Sequence, residues 1–332
     1  MNDRSGDSPF ARAHRELKSL CAALDAVIVG QGETNAALVT ALFASGHVLL
    51  EGLPGLGKTH LARALAGLLG LQASRVQCTP DLMPNDLTGS EVLGPVRDGG
   101  TSFAFRQGPV FAQVLLVDEI NRATPRTQSA LLEAMQEGQV TYAGQRYPLP
   151  QPFCVLATQN PIELEGTFPL PEAQLDRFLF KLRIAFPAAD ALRRLLDVSL
   201  DAEPATTVAP LFDATRVLAL MQLCREVLLT EECKQAAVAL IGATQPGAAQ
   251  ASPVARTHLR YGASPRALQG LVRAARVRAV LEGRSHVDYA DLEAVALPTL
   301  RHRVLLRLES ELEGVNVDTL LLTLVQEWRA RL

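Results

Sequence analysis

The chain has 332 residues, 48% of them hydrophobic and only 5% aromatic, with a formal net charge of −3 at pH 7. That length points to two domains, and the dominance of Leu, Ala and Val suits helices packed on a buried parallel sheet. The slight acidity argues against a surface built for polyanions.

Cys21, Cys78, Cys154, Cys224 and Cys233 are odd in number and scattered, with no C-x-x-C pair, so neither a disulfide framework nor a zinc site is expected. Residues 1–9 are polar, without the apolar core of a signal peptide, and no stretch approaches the ~20 apolar residues of a membrane helix. The expectation is a soluble, cytoplasmic chain with no membrane insertion.

After a loose tail (1–9), Leu17, Leu20, Cys21 and Leu24 fall at helical spacing over Phe10–Ala26, and a second helix is predicted from Glu33 to Ala44. Strands alternate with helices from there. His47–Glu51 is a short buried strand, Gly52–Gly57 a glycine loop and Lys58–Leu69 a helix. Ser74–Gln77, the fully apolar Val114–Val117, Phe153–Thr158 and Lys181–Ile184 read as further strands, with a helix over Thr127–Glu137. The alternation implies an α/β domain on a parallel, five-stranded sheet. Two stretches break the pattern: Thr79–Ala112, with one hairpin arm at Ser102–Arg106, and Gly138–Pro150, which reads as a β-hairpin. After Pro187 only helices are expected, over Ala189–Leu200, Thr215–Leu229, Glu231–Gly242, Ser264–Leu281, Tyr289–Leu308 and Asp318–Arg331, with Gln245–Gly262 as a surface loop. The predicted divisions are 1–26 (tail and helix), 27–186 (α/β domain) and 187–332 (all-helical domain).

Gly52-Leu53-Pro54-Gly55-Leu56-Gly57-Lys58-Thr59 satisfies G-x-x-x-x-G-K-[ST] between an apolar strand and a helix. The glycines let backbone N–H groups wrap phosphate oxygens, and the helix N-terminus adds its positive dipole end. Lys58 is placed to reach the β- and γ-phosphates of ATP, and the Thr59 hydroxyl to bind Mg²⁺. The strand Val114–Val117 delivers Asp118 and Glu119 at its carboxyl end, where ligands bind in open α/β sheets. Asp118 is expected to hold Mg²⁺ through water, and Glu119 to act as general base on the attacking water. Asn160, in Gln159-Asn160-Pro161, is either a turn residue or a polar contact for the γ-phosphate. His60 lies in the first turn after the loop, close to phosphate by its backbone. The six histidines show no metal-ligand spacing.

The order glycine loop, Asp-Glu strand, Asn-ended strand resembles the AAA+ ATPases. Gln77-Cys78-Thr79-Pro80-Asp81, Asp118-Glu119-Ile120-Asn121-Arg122, Ala157-Thr158-Gln159-Asn160-Pro161 and Glu172-Ala173-Gln174-Leu175-Asp176-Arg177-Phe178 resemble the MoxR family more closely. Gly262-Ala263-Ser264-Pro265-Arg266-Ala267 and Leu300-Arg301-His302-Arg303 continue the likeness, which runs from Val27 to the end. Cys78 stands where an aromatic is expected.

The resemblance implies further roles. Asn160 becomes sensor 1 and Arg177 an arginine finger donated to a neighbouring subunit. Arg266 becomes sensor 2, contacting phosphate of its own chain. On the residues alone Arg177 reads as a surface salt-bridge former and Arg266 as a helix-start arginine. Gly30 and Gln31 fall near the adenine, and Gly52, Pro54, Gly55, Leu56, Gly57, Lys58, Thr59, His60 and Asp118 complete the nucleotide-binding set. A homo-oligomeric ring, a hexamer, is implied, acting chaperone-like on a client or adaptor with a von Willebrand factor A domain. A magnesium-chelatase-like ATPase subunit is the alternative. A nucleic-acid motor is a further one, and Arg146 as the hairpin's only full positive charge speaks against it. A scaffold that merely binds ATP has no need of Glu119 and Arg177.

Overall fold

A computed structural model describes residues 8–95, 101–162, 166–194 and 209–332. Helix α1 (Pro9–Val27) starts at Ser8, whose hydroxyl accepts the Ala11 N–H, and Pro9 supplies a preset first turn. It buries Ala13, Leu17, Leu20 and Leu24 in one stripe against α2 (Gly32–Phe43) and other helices. Full burial of each leucine contributes roughly 1.5–3 kcal/mol. Between the two helices Asn35 donates to Asp25 at 2.7 Å and to the Ile28 carbonyl at 3.4 Å, fixing the turn that carries Gly30 and Gln31.

The central sheet holds five parallel strands in the order β2-β5-β8-β1-β9, where β1 is Val48–Glu51, β2 Ala73–Gln77, β5 Val114–Asp118, β8 Cys154–Gln159 and β9 Phe180–Arg183. Alternate residues serve opposite faces. Val48, Leu50, Val114, Leu116, Cys154 and Leu156 join a core shared with α1, α2 and α3 (Lys58–Leu68). Leu49, Leu115, Val117, Val155 and Ala157 join a second core under α5 (Pro125–Glu137). The carboxyl ends of β1, β5 and β8 thereby lie side by side, with the Gly52 N–H donating to the Gln159 carbonyl at 3.3 Å.

Both irregular stretches contain hairpins. β3 (Gly89–Pro95) pairs with β4 (Thr101–Gln107) after the short α4 (Pro84–Thr88), and β6 (Gln139–Tyr142) pairs with β7 (Gln145–Pro148). Phe105 stacks on Tyr147 at 4.2 Å between ring centroids, so the two hairpins are packed together.

The C-terminal part is helical, through α7 (Ala214–Arg225), α8 (Glu231–Ala243), α10 (Pro265–Leu281), α11 (Tyr289–Leu300) and α13 (Val317–Arg329). Three sequence expectations need correction. The predicted loop Gln245–Gly262 contains a helix, α9 (Pro253–His258), and a strand, β10 (Leu259–Tyr261). That strand pairs with β11 (Leu305–Leu306), so the part is not all helical. The predicted helix Tyr289–Leu308 ends at Leu300, and a separate α12 runs over Leu308–Leu312. Of Ala189–Leu200, residues 189–194 are helical and the remainder lies outside the described residues, as do 1–7 of the tail. One buried cluster runs without interruption from α1, α2 and the sheet into α7, α8, α10, α11 and α13.

Candidate active site

β1 ends at Glu51 and the chain turns through Gly52 into the glycine loop. Gly55 (φ +81°) and Gly57 (φ +77°) occupy the left-handed region that a Cβ resists, and α3 follows directly with Gly57 as its cap. Gly57 has no side chain to cap α3, which suits first-turn N–H groups that meet a ligand. Lys58 Nζ donates to the carbonyls of Gly52 (2.6 Å) and Leu53 (3.1 Å), which holds the ammonium over the loop.

Asp118 and Glu119 close the opposite wall. Asp118 Oδ2 lies 3.4 Å from the Thr59 hydroxyl and accepts from Arg75 Nε at 2.7 Å. Its Oδ1 accepts from the Thr158 hydroxyl at 3.2 Å, while that hydroxyl accepts the Glu119 N–H at 2.9 Å. One buried threonine therefore fixes both acidic positions. Glu119 adopts φ 56°, ψ 51°, a conformation costing a non-glycine residue of order 1–2 kcal/mol, and so strained backbone coincides with the predicted base. Its carboxylate accepts from Gln77 Nε2 and from Arg122, each at 2.9 Å. Asn160, 6% exposed, accepts the Ile162 N–H through Oδ1 at 3.2 Å. Pro54, Gly55, Gly57, Lys58, Thr59, His60, Asp118, Glu119 and Asn160 line one cavity of about 410 Å³.

Next to it a mainly apolar cavity of about 220 Å³ is bounded by Val27, Ile28, Leu56, Phe186 and Pro187, with Gln31 and His60 as polar side chains. Gln31 Oε1 is buried without a hydrogen-bond partner among the described residues, while Nε2 donates weakly to the Leu56 carbonyl at 3.5 Å. Gly30, predicted beside the adenine, does not itself line the cavity; it has φ +80°, and a Cβ there would come within 2.5 Å of the Ala191 Cβ, so glycine is required in this turn. An apolar slot with one unsatisfied amide oxygen suits a heterocyclic base that carries an amino group.

The predicted arginines are elsewhere. Arg177 and Arg266 share a third cavity, of about 690 Å³, with His47, Asp176, Arg273 and Arg303, and no residue of the glycine loop lines it. His47 precedes β1 and Gly52 follows it, so about 16 Å of strand separates the two ends. Arg177 donates to the Leu132 carbonyl at 2.7 Å, and Arg266 stands 3.7 Å from Asp176. The expectation that Arg266 reaches phosphate of its own chain is therefore corrected. Helix α10 packs on α1 and α2, which seats Arg266 at the amino end of β1. Burial lowers the His47 pKa to about 4, so the ring is neutral at pH 7, with Nε2 donating to the Met135 carbonyl and Nδ1 accepting the Val155 N–H.

Sequence reasoning missed Arg75, Gln77, Arg122 and Thr158. Gln77 pairs in register with Asp118, and Arg75 is its same-face neighbour on β2, but only the strand order shows this. Burial, aided by Asp118 and Glu119, pushes the Cys78 thiol up to about 12, leaving it protonated and no nucleophile. Among the described residues no cluster of three or more His, Cys, Asp or Glu could hold a metal ion. No described helix is long and apolar enough to cross a membrane.

Residues 47–180 match the profile of the ATPase family associated with various cellular activities (AAA), and residues 252–321 that of the AAA lid domain. Chaperone MoxR1 of Mycobacterium tuberculosis is 37% identical over 90% of this chain and 78% of its own length. Protein MoxR of Paracoccus denitrificans is 35% identical over 90% of this chain and 91% of its own. A candidate ATPase of Cytophaga hutchinsonii, known from a crystal structure, superposes with a TM-score of 0.88 at 35% identity, covering 96% of this chain and 95% of that one.

Proposed function

Because the chain belongs to the MoxR family of AAA+ ATPases, we propose that it hydrolyses ATP to ADP and phosphate in a ring of identical subunits. The observation that carries this reading is the meeting of Lys58, Thr59, Asp118, Glu119 and Asn160 in one cavity at the carboxyl edge of the sheet. The loop N–H groups and Lys58 cradle the β- and γ-phosphates, and the α3 N-terminus adds its dipole. Gln31 and the neighbouring apolar slot take the adenine. The Thr59 and Asp118 oxygens suit a hard divalent cation, so these two residues would hold Mg²⁺, Asp118 through water. When bound, that ion neutralises phosphate charge.

Glu119 takes the proton of the attacking water, and its strained backbone and the Thr158 bond aim it. The Asn160 amide helps place the water. Arg177 and Arg266 lie together at the amino end of β1, too far to serve their own loop, so both are donated to the γ-phosphate of an adjacent copy. A head-to-tail contact of this kind closes into a ring, and we take a hexamer as its size. Donated arginines of this type accelerate hydrolysis by about 10³–10⁵.

Loss of the general base lowers turnover by about 10²–10⁴. Glu119→Gln should therefore bind ATP with near-normal affinity and hydrolyse it that much more slowly, while Lys58→Ala should lose binding. Near-normal hydrolysis by Glu119→Gln would remove Glu119 from this role.

The work done by the cycle is proposed to be chaperone-like activation of a cytoplasmic client carrying a von Willebrand factor A domain. The β3–β4 hairpin supports a protein partner, since Leu93 and Phe103 pair across it while 65% and 68% exposed. Retention of the client by ATP-loaded Glu119→Gln, and its release by Lys58→Ala, is the test.

A further inference from the structure

Arg177 sits in the turn between α6 (Glu172–Leu175) and β9, and residues from the far end of the chain hold that turn. The Arg303 side chain is 2% exposed. Its Nε donates to Asp176 Oδ1 at 2.7 Å, and its two terminal nitrogens donate to the carbonyls of Asp176 (3.0 Å), Phe178 (2.6 Å), Leu179 (3.0 Å) and Thr299 (2.7 Å). His302 donates Nε2 to the same Phe178 carbonyl at 3.0 Å. The Ser264 hydroxyl donates to Asp176 Oδ2 at 3.0 Å, and Arg266 stands 3.7 Å from that oxygen.

A guanidinium has five N–H donors in a rigid plane. Here four of the five bonds go to residues 176–179 and one to Thr299, in the neighbouring helix α11. A residue serving only the internal fold of the helical part would bond within it. Arg303 instead fixes the backbone on both sides of Arg177, while lid residues occupy both oxygens of Asp176. Leu179 is packed just as closely, since a Cβ on Gly270 of α10 would fall 2.9 Å from its Cδ1.

We propose that Arg303 is a positioning residue for hydrolysis: it joins the Arg177 turn to the helical part, so that Arg177 and Arg266 are presented to the adjacent copy as one unit. The inference rests on the reading of Arg177 as a donated arginine. Displacement of the helical part then carries Arg177 with it, which couples lid movement to the neighbour's catalysis.

The test uses full-length Arg303→Met, Ser264→Ala, Arg177→Ala and the Arg177→Ala/Arg303→Met double variant. The readouts are steady-state ATPase kinetics, affinity for a fluorescent ATP analogue, and melting temperature. A positioning role acts in the transition state, so Arg303→Met should lower kcat to within about threefold of Arg177→Ala and shift KM and analogue affinity by less than about threefold. The double variant should be no slower than Arg177→Ala alone, because both changes remove the same contribution. Ser264→Ala, which removes one bond to Asp176, should lower kcat by about three- to tenfold without altering analogue affinity.

Effects that multiply in the double variant, or loss of kcat together with analogue affinity, would assign Arg303 a structural role and overturn the proposal. So would Arg303→Met with wild-type kcat beside an impaired Arg177→Ala. If Arg303→Met fails to fold, wild-type kinetics of Ser264→Ala overturn it. Normal hydrolysis by Arg177→Ala would instead remove the reading on which the proposal stands.

Discussion

Thr158→Val isolates the joint that holds the two acidic residues of the site. The side chain is 2% exposed, and its hydroxyl receives the Glu119 N–H at 2.9 Å while donating to Asp118 Oδ1 at 3.2 Å. Valine fills the same space, so no cavity opens and only the two bonds are lost. A neutral bond contributes about 1 kcal/mol and one to a carboxylate about 1.5–3. The added methyl returns roughly 0.8 kcal/mol as buried apolar surface. The net loss is about 2–3 kcal/mol, which lowers the melting temperature by about 2–5 °C for a chain of this size. Glu119 must also keep its left-handed backbone without that bond, so the carboxylate drifts from its aim and kcat should fall about 10- to 100-fold, or 1.4–2.7 kcal/mol in the barrier. Binding of ATP depends on the glycine loop and Lys58 and should change by less than about threefold. A coupled phosphate-release assay with an equilibrium binding measurement decides it, with Thr158→Ser as the control that restores the hydroxyl. Thr158→Val turning over within threefold of wild type would refute the argument that this bridge aims the base.

Two further outcomes concern stability. His47, held neutral by burial, has a folded pKa of about 4 against 6.5 when unfolded, so the unfolded chain binds protons first as pH falls. Its stabilising contribution is complete above pH 6.5 and is lost between there and about pH 4, at most about 3 kcal/mol, with His302, lowered by burial and by Arg303, acting in the same direction. Denaturant midpoints across that range should fall for wild type and more shallowly for His47→Gln; equal slopes would contradict the assignment. Gly46→Ala drives a Cβ into the Leu179 side chain and should cost about 1–3 kcal/mol by overpacking, read as a lower urea midpoint; an unchanged midpoint would show that Leu179 gives way.

Much of the fold and half of the site were legible because their signals are local. The glycine loop is one continuous motif, and four apolar residues followed by Asp118-Glu119 declare a buried strand with two acidic residues at its carboxyl end. Arg75 and Gln77 were not legible, since they matter only because β2 lies beside β5 in register, and sheet order is a long-range property. Arg266 was correctly placed at the start of a helix, yet its cavity depends on where α10 docks. The helix predicted through Leu308 stops at Leu300 because Arg301, His302 and Arg303 turn inward to carbonyls of Lys181, Phe178 and Leu179. A helix surface cannot present three consecutive residues to one neighbour. The β10–β11 ribbon is too short for any alternation to be read.

The central claim is that each hydrolytic site is completed by a second copy of the chain. Arg177→Ala keeps an intact glycine loop and lacks the donated arginine, while Asp118→Asn supplies that arginine and cannot turn over. Each should be inactive alone, and a 1:1 mixture, annealed and assayed for phosphate release, should recover roughly a quarter of wild-type activity, the share of random contacts that join the two competent surfaces. A mixture as inactive as its components, under conditions where mixed assemblies are detected, would contradict the shared site.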